Sequence, residues 1–139
     1  MFDENPIETY AHLFQELDKR GFAYIQLMEA NEEFKVKMHV PHGREQIPYV
    51  CKQFRSVFKG TIIANCGLTP ETALQMIQEG DADIVSFGKL FIVNPDLVER
   101  IKNNWPFNKL DPTTFYSGGE KGYNDYPFYE SQVQDKNSE

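Results

Sequence analysis

Thr61-Ile62-Ile63-Ala64-Asn65-Cys66-Gly67-Leu68-Thr69-Pro70-Glu71 is the stretch whose reading decides the fold. Its first four residues are apolar or β-branched and read as a buried strand, which runs into a turn over Asn65, Cys66, Gly67 and Leu68. Thr69 then stands where a helix N-cap belongs, Pro70 occupies the first helical position, and Glu71 places an acid in the first turn. The helical pattern continues to Glu79 and stops at Gly80. A strand joined to a helix by so short a turn is one unit of an α/β fold.

The same unit recurs on either side. Upstream, apolar or aromatic residues at 7, 10, 11, 13, 14 and 17 predict a helix, with Asn5 as cap, Pro6 in the first turn and Gly21 as stop. Residues 22–28 read as a buried strand ended by Glu29, residues 31–46 as a long loop, and residues 47–58 as a second helix, with Pro48 in its first turn and Gly60 after it. Downstream, residues 83–87 read as a third strand leading into Gly88-Lys89, and Pro95 opens a helix that runs to about Lys102. Beyond Trp105 the prolines and glycines predict irregular structure, and residues 130–139 read as a polar, disordered tail. Strands alternating with amphipathic helices imply right-handed crossovers and a parallel sheet. Spacing leaves two architectures open: three units of an open, doubly wound sheet that binds a phosphate ligand, or three units of a (β/α) barrel.

Composition narrows the partners. The 139 residues, 40% apolar and 14% aromatic, suffice for one core, and a net charge of −7 repels nucleic acid and anionic lipid. The mixed basic stretch Lys35, Lys37, His39, His42 and Arg44 is preceded by Glu32 and Glu33 and reads as a solvated loop. No apolar run approaches the ~20 residues of a membrane span. Nothing near residue 1 reads as a signal peptide, so a cytoplasmic location is the expectation. Cys51 lies in a helical apolar pattern and Cys66 in a turn, which points to two reduced thiols.

Two strand ends carry the chemistry: Asn65-Cys66-Gly67 and Phe87-Gly88-Lys89. Glycine at such a turn lets a ligand approach the backbone, exposed amides cradle phosphate oxygens, and Lys89 adds a point charge. Tight βα turns alone account equally well for the two glycines. Other groupings are weaker. His39 and His42 with Glu32 or Glu33 have thin metal-ligand spacing, and no metal is expected. His12 reads as structural, Asp81 and Asp83 as loop and cap residues. Tyr116, Tyr123, Tyr126 and Tyr129 suit either stacking on a ring or anchoring of the C-terminal segment.

The segments Asp83-Ile84-Val85-Ser86-Phe87-Gly88-Lys89-Leu90-Phe91-Ile92-Val93-Asn94-Pro95-Asp96-Leu97, Asp111-Pro112-Thr113-Thr114-Phe115-Tyr116 and Gly122-Tyr123-Asn124-Asp125-Tyr126-Pro127 closely resemble the C-terminal end of the Old Yellow Enzyme family, which includes 12-oxophytodienoate reductases. The opening Asp3-Glu4-Asn5-Pro6-Ile7-Glu8-Thr9-Tyr10 and the strand Ala23-Tyr24-Ile25-Gln26-Leu27 are similar to it as well. The resemblance implies the C-terminal part of a TIM (β/α)8 barrel, about three βα units over residues 1–129, in a flavoprotein that binds FMN, takes hydride from NAD(P)H and reduces an enone. It implies Gly67, with Cys66, at the strand-seven turn, Phe87, Gly88 and Lys89 at the strand-eight turn near the flavin phosphate, and Tyr123 in an aromatic segment near the flavin. Cys66 replaces a family glycine and Lys89 a family arginine, which loses the planar phosphate fork, so weakened phosphate affinity is expected. Nothing corresponds to the first five strands, where relatives hold the carbonyl-anchoring pair and the proton donor. The chain is therefore expected to supply no catalytic residue, to be inactive alone, and to self-associate or pair with the missing barrel half. The alternative is a non-catalytic remnant that binds a partner.

Overall fold

The computed structural model describes residues 3–30, 47–114 and 119–129. They fall into two units, Met1–Ser86 and Phe87–Glu139.

The first unit begins with α1, Pro6–Lys19. Proline starts this helix, but the Asn5 side chain donates to the Glu8 carboxylate and makes no capping bond, unlike the expected N-cap. Gly21, at φ +70°, follows its end. Next come β1, Tyr24–Met28, and α2, Val50–Arg55. The helix expected over residues 47–58 is therefore shorter, because Tyr49 at φ +49° breaks the helical path at its entrance. The apolar periodicity nevertheless holds, since Cys51, Phe54 and Phe58 are all buried. The long loop expected over residues 31–46, with both of its histidines, lies outside the described residues.

β2, Thr61–Asn65, leads to α3, Pro70–Glu79, and β3, Ile84–Val85, closes the unit. The α3 boundaries are those its local signals predict. Thr69 and Thr72 form a reciprocal capping box, and Gly80 takes the left-handed C-cap at φ +75°. The sheet order is β1-β2-β3, all parallel, with Tyr24 opposite Thr61 and Ile63 opposite Ile84.

Helices cover one face of this sheet. Ile25, Leu27, Ile62 and Ala64 point into a core shared with Phe14, Cys51, Phe54, Phe58 and Ala82. The Phe14 and Phe54 rings meet edge-on at 4.9 Å. Glu29, just past β1, caps α2 from a distance by accepting from the amides of Val50 at 2.8 Å and Cys51 at 2.9 Å. Burial, with the Glu29 hydrogen bond and charge adding, pushes the Cys51 thiol far above its ordinary value. Asp83 accepts from the Ile62 amide and from Arg55, whose other nitrogen bonds the carbonyls of Phe58 and Gly60, so one charged pair fixes the entrances to β2 and β3.

The strands expected to be buried are buried on alternate residues only. Tyr24, Gln26 and Met28 stand exposed on the face opposite the helices, because within the first unit no described layer covers that side.

The second unit holds α4, Lys89–Val93, and α5, Leu97–Asn103. The sequence pattern anticipates only the second of these. α4 is short and has no side-chain cap, so it leaves little local signature. Arg100 organises this unit. Its side chain is fully buried, bonds Asp96 at 2.6 Å, the Pro106 carbonyl at 2.6 Å and the Pro127 carbonyl at 3.0 Å, and lies over the Tyr129 ring. Trp105 stacks on Tyr129 at 4.5 Å. Asn94, also fully buried, donates to Leu90 O and accepts from the Asn108 amide. These bonds meet the rule that buried polar groups find partners.

Candidate functional site

The backbone at the end of β2 turns through two successive left-handed residues, Cys66 at φ +78° and Gly67 at φ +69°. Glycine takes this conformation freely; cysteine pays a steric penalty of about 1–3 kcal/mol when held there. The strand end thus requires a glycine-like backbone at both positions, and Cys66 is strained into it. Its thiol is half-buried and unbridged, as is the buried Cys51 unbridged.

The following helix is less available to an anion than its position suggests. Thr69 accepts from the Thr72 amide, Pro70 carries no N–H, and the Glu71 carboxylate is held below its usual range by the Thr69 hydroxyl and its own amide. The dipole at this terminus is already met by an acid, so the Cys66-Gly67 turn itself has to provide any phosphate contact on this side.

In the second unit, Phe87, Gly88 and Lys89 lie at the mouth of α4. Phe87 was expected to end the third strand and Gly88-Lys89 to form the turn after it; the strand instead stops at Val85, Gly88 is the N-cap residue and Lys89 the first helical residue. A Cβ added to Gly88 would meet nothing within 4 Å, so its Cα is open to close approach. Its φ of −92° makes no demand for glycine, and its openness is shared with Gly21, Gly80 and Gly119, so what sets the position apart is that this open Cα directly precedes Lys89. Lys89 is half-buried.

The tyrosines divide. Tyr126 accepts from the Asp111 amide at 3.3 Å and Tyr129 stacks on Trp105, so both anchor the C-terminal segment. The Tyr123 side chain is 52% exposed. Gly122 before it is fixed by geometry: at φ +73°, with Thr114 where a Cβ would go, no other residue fits. Tyr116 lies outside the described residues. His12 is exposed on α1, and Asp83 takes the loop-and-cap role expected of it. Among the described residues no three His, Cys, Asp or Glu side chains converge as a metal site, and no helix is long and apolar enough to cross a membrane.

A cavity of about 370 Å³ lies elsewhere, beside the end of β1, lined by Phe14, Leu27, Val50 and Phe54 with Glu29 at its edge. Its carboxylate is already engaged by the α2 amides, so the lining offers packing surface rather than chemistry. Sequence reasoning placed Asn65 at a strand end but missed its partners Gln26 and Ser86, whose side chains form one hydrogen-bonded cluster with it on the exposed sheet face. The signal was present in the period-2 alternation, which puts all three on one side.

The family profile described as NADH:flavin oxidoreductase / NADH oxidase matches residues 7–108. The 12-oxophytodienoate reductase 1 of Oryza sativa subsp. japonica is 37% identical over 131 residues, 93% of this chain and 33% of the relative. Among solved structures, the old yellow enzyme from Trypanosoma cruzi is 36% identical with a TM-score of 0.78, over 93% of this chain and 32% of that one. Morphinone reductase is 36% identical with a TM-score of 0.77, over 94% and 33%. The parallel β/α arrangement is thus that of part of a TIM barrel. The chain spans about a third of the length of the relatives it matches.

Proposed function

Because this chain belongs to the NADH:flavin oxidoreductase / NADH oxidase family, we propose that it is the flavin-phosphate portion of an FMN-dependent NAD(P)H oxidoreductase acting on enones, whose turnover requires the complete barrel. Members of the family bind FMN and use NAD(P)H as hydride donor. Bound FMN supplies the redox chemistry, and the protein's task is to position it and exclude competing reactions. In this reading Gly88 would admit a phosphate oxygen to the backbone and Lys89 would provide its counter-charge, the amides of the Cys66-Gly67 turn would be a separate phosphate contact of the first unit, and Phe87 and Tyr123 are taken as cofactor-contacting residues on the family resemblance. The open Cα of Gly88 directly before Lys89 is the observation that carries it.

In this reading the carbonyl-anchoring pair and the proton donor belong to barrel strands outside these residues. Purified alone it is expected to be colourless, to bind FMN weakly, and to show no NADPH oxidation with cyclohexenone. Titration of FMN by fluorescence quenching is the test. Lys89→Ala lowers the affinity and Cys66→Gly raises it; equal affinities in both variants would remove the phosphate assignment. A stoichiometric yellow protein, or enone turnover by a clean monomer, would remove the partial-barrel reading. A second reading, a non-catalytic remnant, is favoured by one feature: the strained cysteine at φ +78° where a phosphate turn calls for glycine. That reading predicts no FMN binding even when the rest of a barrel is supplied.

A further inference from the structure

At the C-terminal end of β2 the ladder between β2 and β3 stops one bond short. The Ser86 amide donates to the Ala64 carbonyl at 2.9 Å. In a parallel ladder the next bond of that register runs from the Cys66 amide to the Ser86 carbonyl. Cys66 instead leaves the strand path at φ +78°, and the Ser86 carbonyl accepts from the Asn65 side-chain nitrogen at 3.1 Å. On the β1 side the Glu29 amide makes the last bond, to the Asn65 carbonyl at 2.8 Å. Asn65 is thus gripped from both neighbouring strands. Among the described residues neither the Cys66 amide nor the Gly67 amide that follows has a protein acceptor.

The Asn65 side chain is fixed in this arrangement. A carbonyl can only accept, so the nitrogen of the Asn65 amide, not its oxygen, must face Ser86. The same nitrogen donates to the Ser86 hydroxyl at 2.7 Å; that hydroxyl accepts from Gln26 at 3.2 Å and passes its own proton to the Ala64 carbonyl at 3.3 Å. The two bonds from Asn65 offset the steric cost of a left-handed cysteine. Two adjacent main-chain N–H groups, one of them in half-buried Cys66, need an acceptor from outside the chain. An anionic oxygen gains most there, because a hydrogen bond to a charged group is roughly twice as strong as a neutral one.

We propose that Asn65 is a positioning residue for the phosphate contact of the first unit. By occupying the Ser86 carbonyl it ends the ladder early, keeps Cys66 in the left-handed region and reserves the Cys66 and Gly67 amides for an anionic oxygen. The proposal rests on the flavin-phosphate reading above and adds to it the device that shapes the turn. Asn65 itself touches no ligand. Without its side chain the Ser86 carbonyl is open, the Cys66 amide is drawn into the in-register bond, and the turn loses its first donor. The path of the turn is then set by the residue before it, which accounts for a cysteine being carried where the backbone favours glycine.

The test compares the full chain with Asn65→Leu, of similar size but without donors, and with Asn65→Ala, which needs no repacking. Amide hydrogen exchange followed by NMR reads the turn, and the rest of the amide spectrum confirms the fold. The Cys66 amide is expected to exchange rapidly in the parent chain and about fivefold to tenfold more slowly in both variants, the worth of one hydrogen bond. Fluorescence anisotropy of FMN and of riboflavin, which lacks the phosphate, reads the ligand at fixed low flavin and rising protein. FMN affinity is expected to fall about tenfold in both variants and riboflavin affinity to stay as it was, whereas a general loss of structure lowers both. Gln26→Leu removes a bond to the Ser86 hydroxyl, leaves its carbonyl engaged, and keeps the parent preference for FMN. A Cys66 amide already protected in the parent chain overturns the proposal, and so does an equal fall in Gln26→Leu. A parent chain that binds FMN no better than riboflavin removes the phosphate reading itself; a preference for FMN that persists in Asn65→Leu and Asn65→Ala removes only the role of Asn65.

Discussion

In the first unit Phe14, Phe54, Phe58 and Ile62 meet in an apolar core under a parallel sheet, whereas in the second the fully buried side chains include an arginine and an asparagine. Apolar burial is non-directional: any side chain of the right size on the right face contributes. Arg100 and Asn94 act only through particular partners at particular distances, among them two carbonyls contributed by prolines 6 and 27 residues away. The sheet unit therefore tolerates adjustment, and the helix-and-tail unit depends on a few bonds that fail together.

That contrast can be broken by substitution. Arg100→Ala removes the guanidinium and leaves Asp96 and two carbonyls without it, and a loss of about 3–5 kcal/mol is expected from breaking a buried pair. Hydrogen exchange should show the loss concentrated over residues 97–110. Phe54→Ala, in the first unit, should cost roughly 3–4 kcal/mol through lost burial and a residual cavity. Its conservative counterpart Phe54→Leu should recover most of that in urea denaturation, while Arg100→Lys should recover little, because an ammonium cannot reproduce the fork. Equal recovery at both sites would erase the distinction.

Acid sharpens the comparison. Burial pushes Asp96 up, but the Tyr129 amide and the Arg100 guanidinium outweigh it and hold the carboxyl below its ordinary 3.8. A depressed folded-state value means the stabilisation is complete above that ordinary value and is lost as pH falls through the lower, folded one. Asp83 is lowered chiefly by the Ile62 amide, then by Arg55, and its side chain is half exposed. Melting between pH 7 and pH 2 should therefore weaken both units only at the acid end, the second more, and Asp96→Asn should flatten its share of the profile. A larger effect from Asp83→Asn would reverse that ranking. The smallest expected effect is a gain: Cys66→Gly relieves the left-handed strain and should raise stability by about 1 kcal/mol, seen as a higher melting temperature of the first unit.

The residues show why some of this was legible beforehand. α3 could be delimited because Thr69, Pro70 and Gly80 are its own cap, start and stop. The three parallel strands, the Gly67 turn and two free thiols followed from equally local patterns, whereas the order β1-β2-β3 did not. α4 was missed because its five residues carry no capping side chain, and α2 was overextended because nothing adjacent announces a left-handed Tyr49. The one hint of the Arg100 hub was its four-residue spacing from Asp96, which on most helices marks a solvated ion pair.

What the sequence determined by itself was the alternation of strands and helices, the core face of α2, and the glycine and lysine at the strand ends, because caps, periodicities and turns are settled between residues a few positions apart. Only the tertiary structure decided that Arg100 is buried rather than solvated, that Glu29 caps a helix twenty-one residues on, and that Gln26, Asn65 and Ser86 meet on the uncovered face. Those contacts join groups 21 to 60 residues apart, and bonds across such separations form only after the strands have paired and the helices have packed.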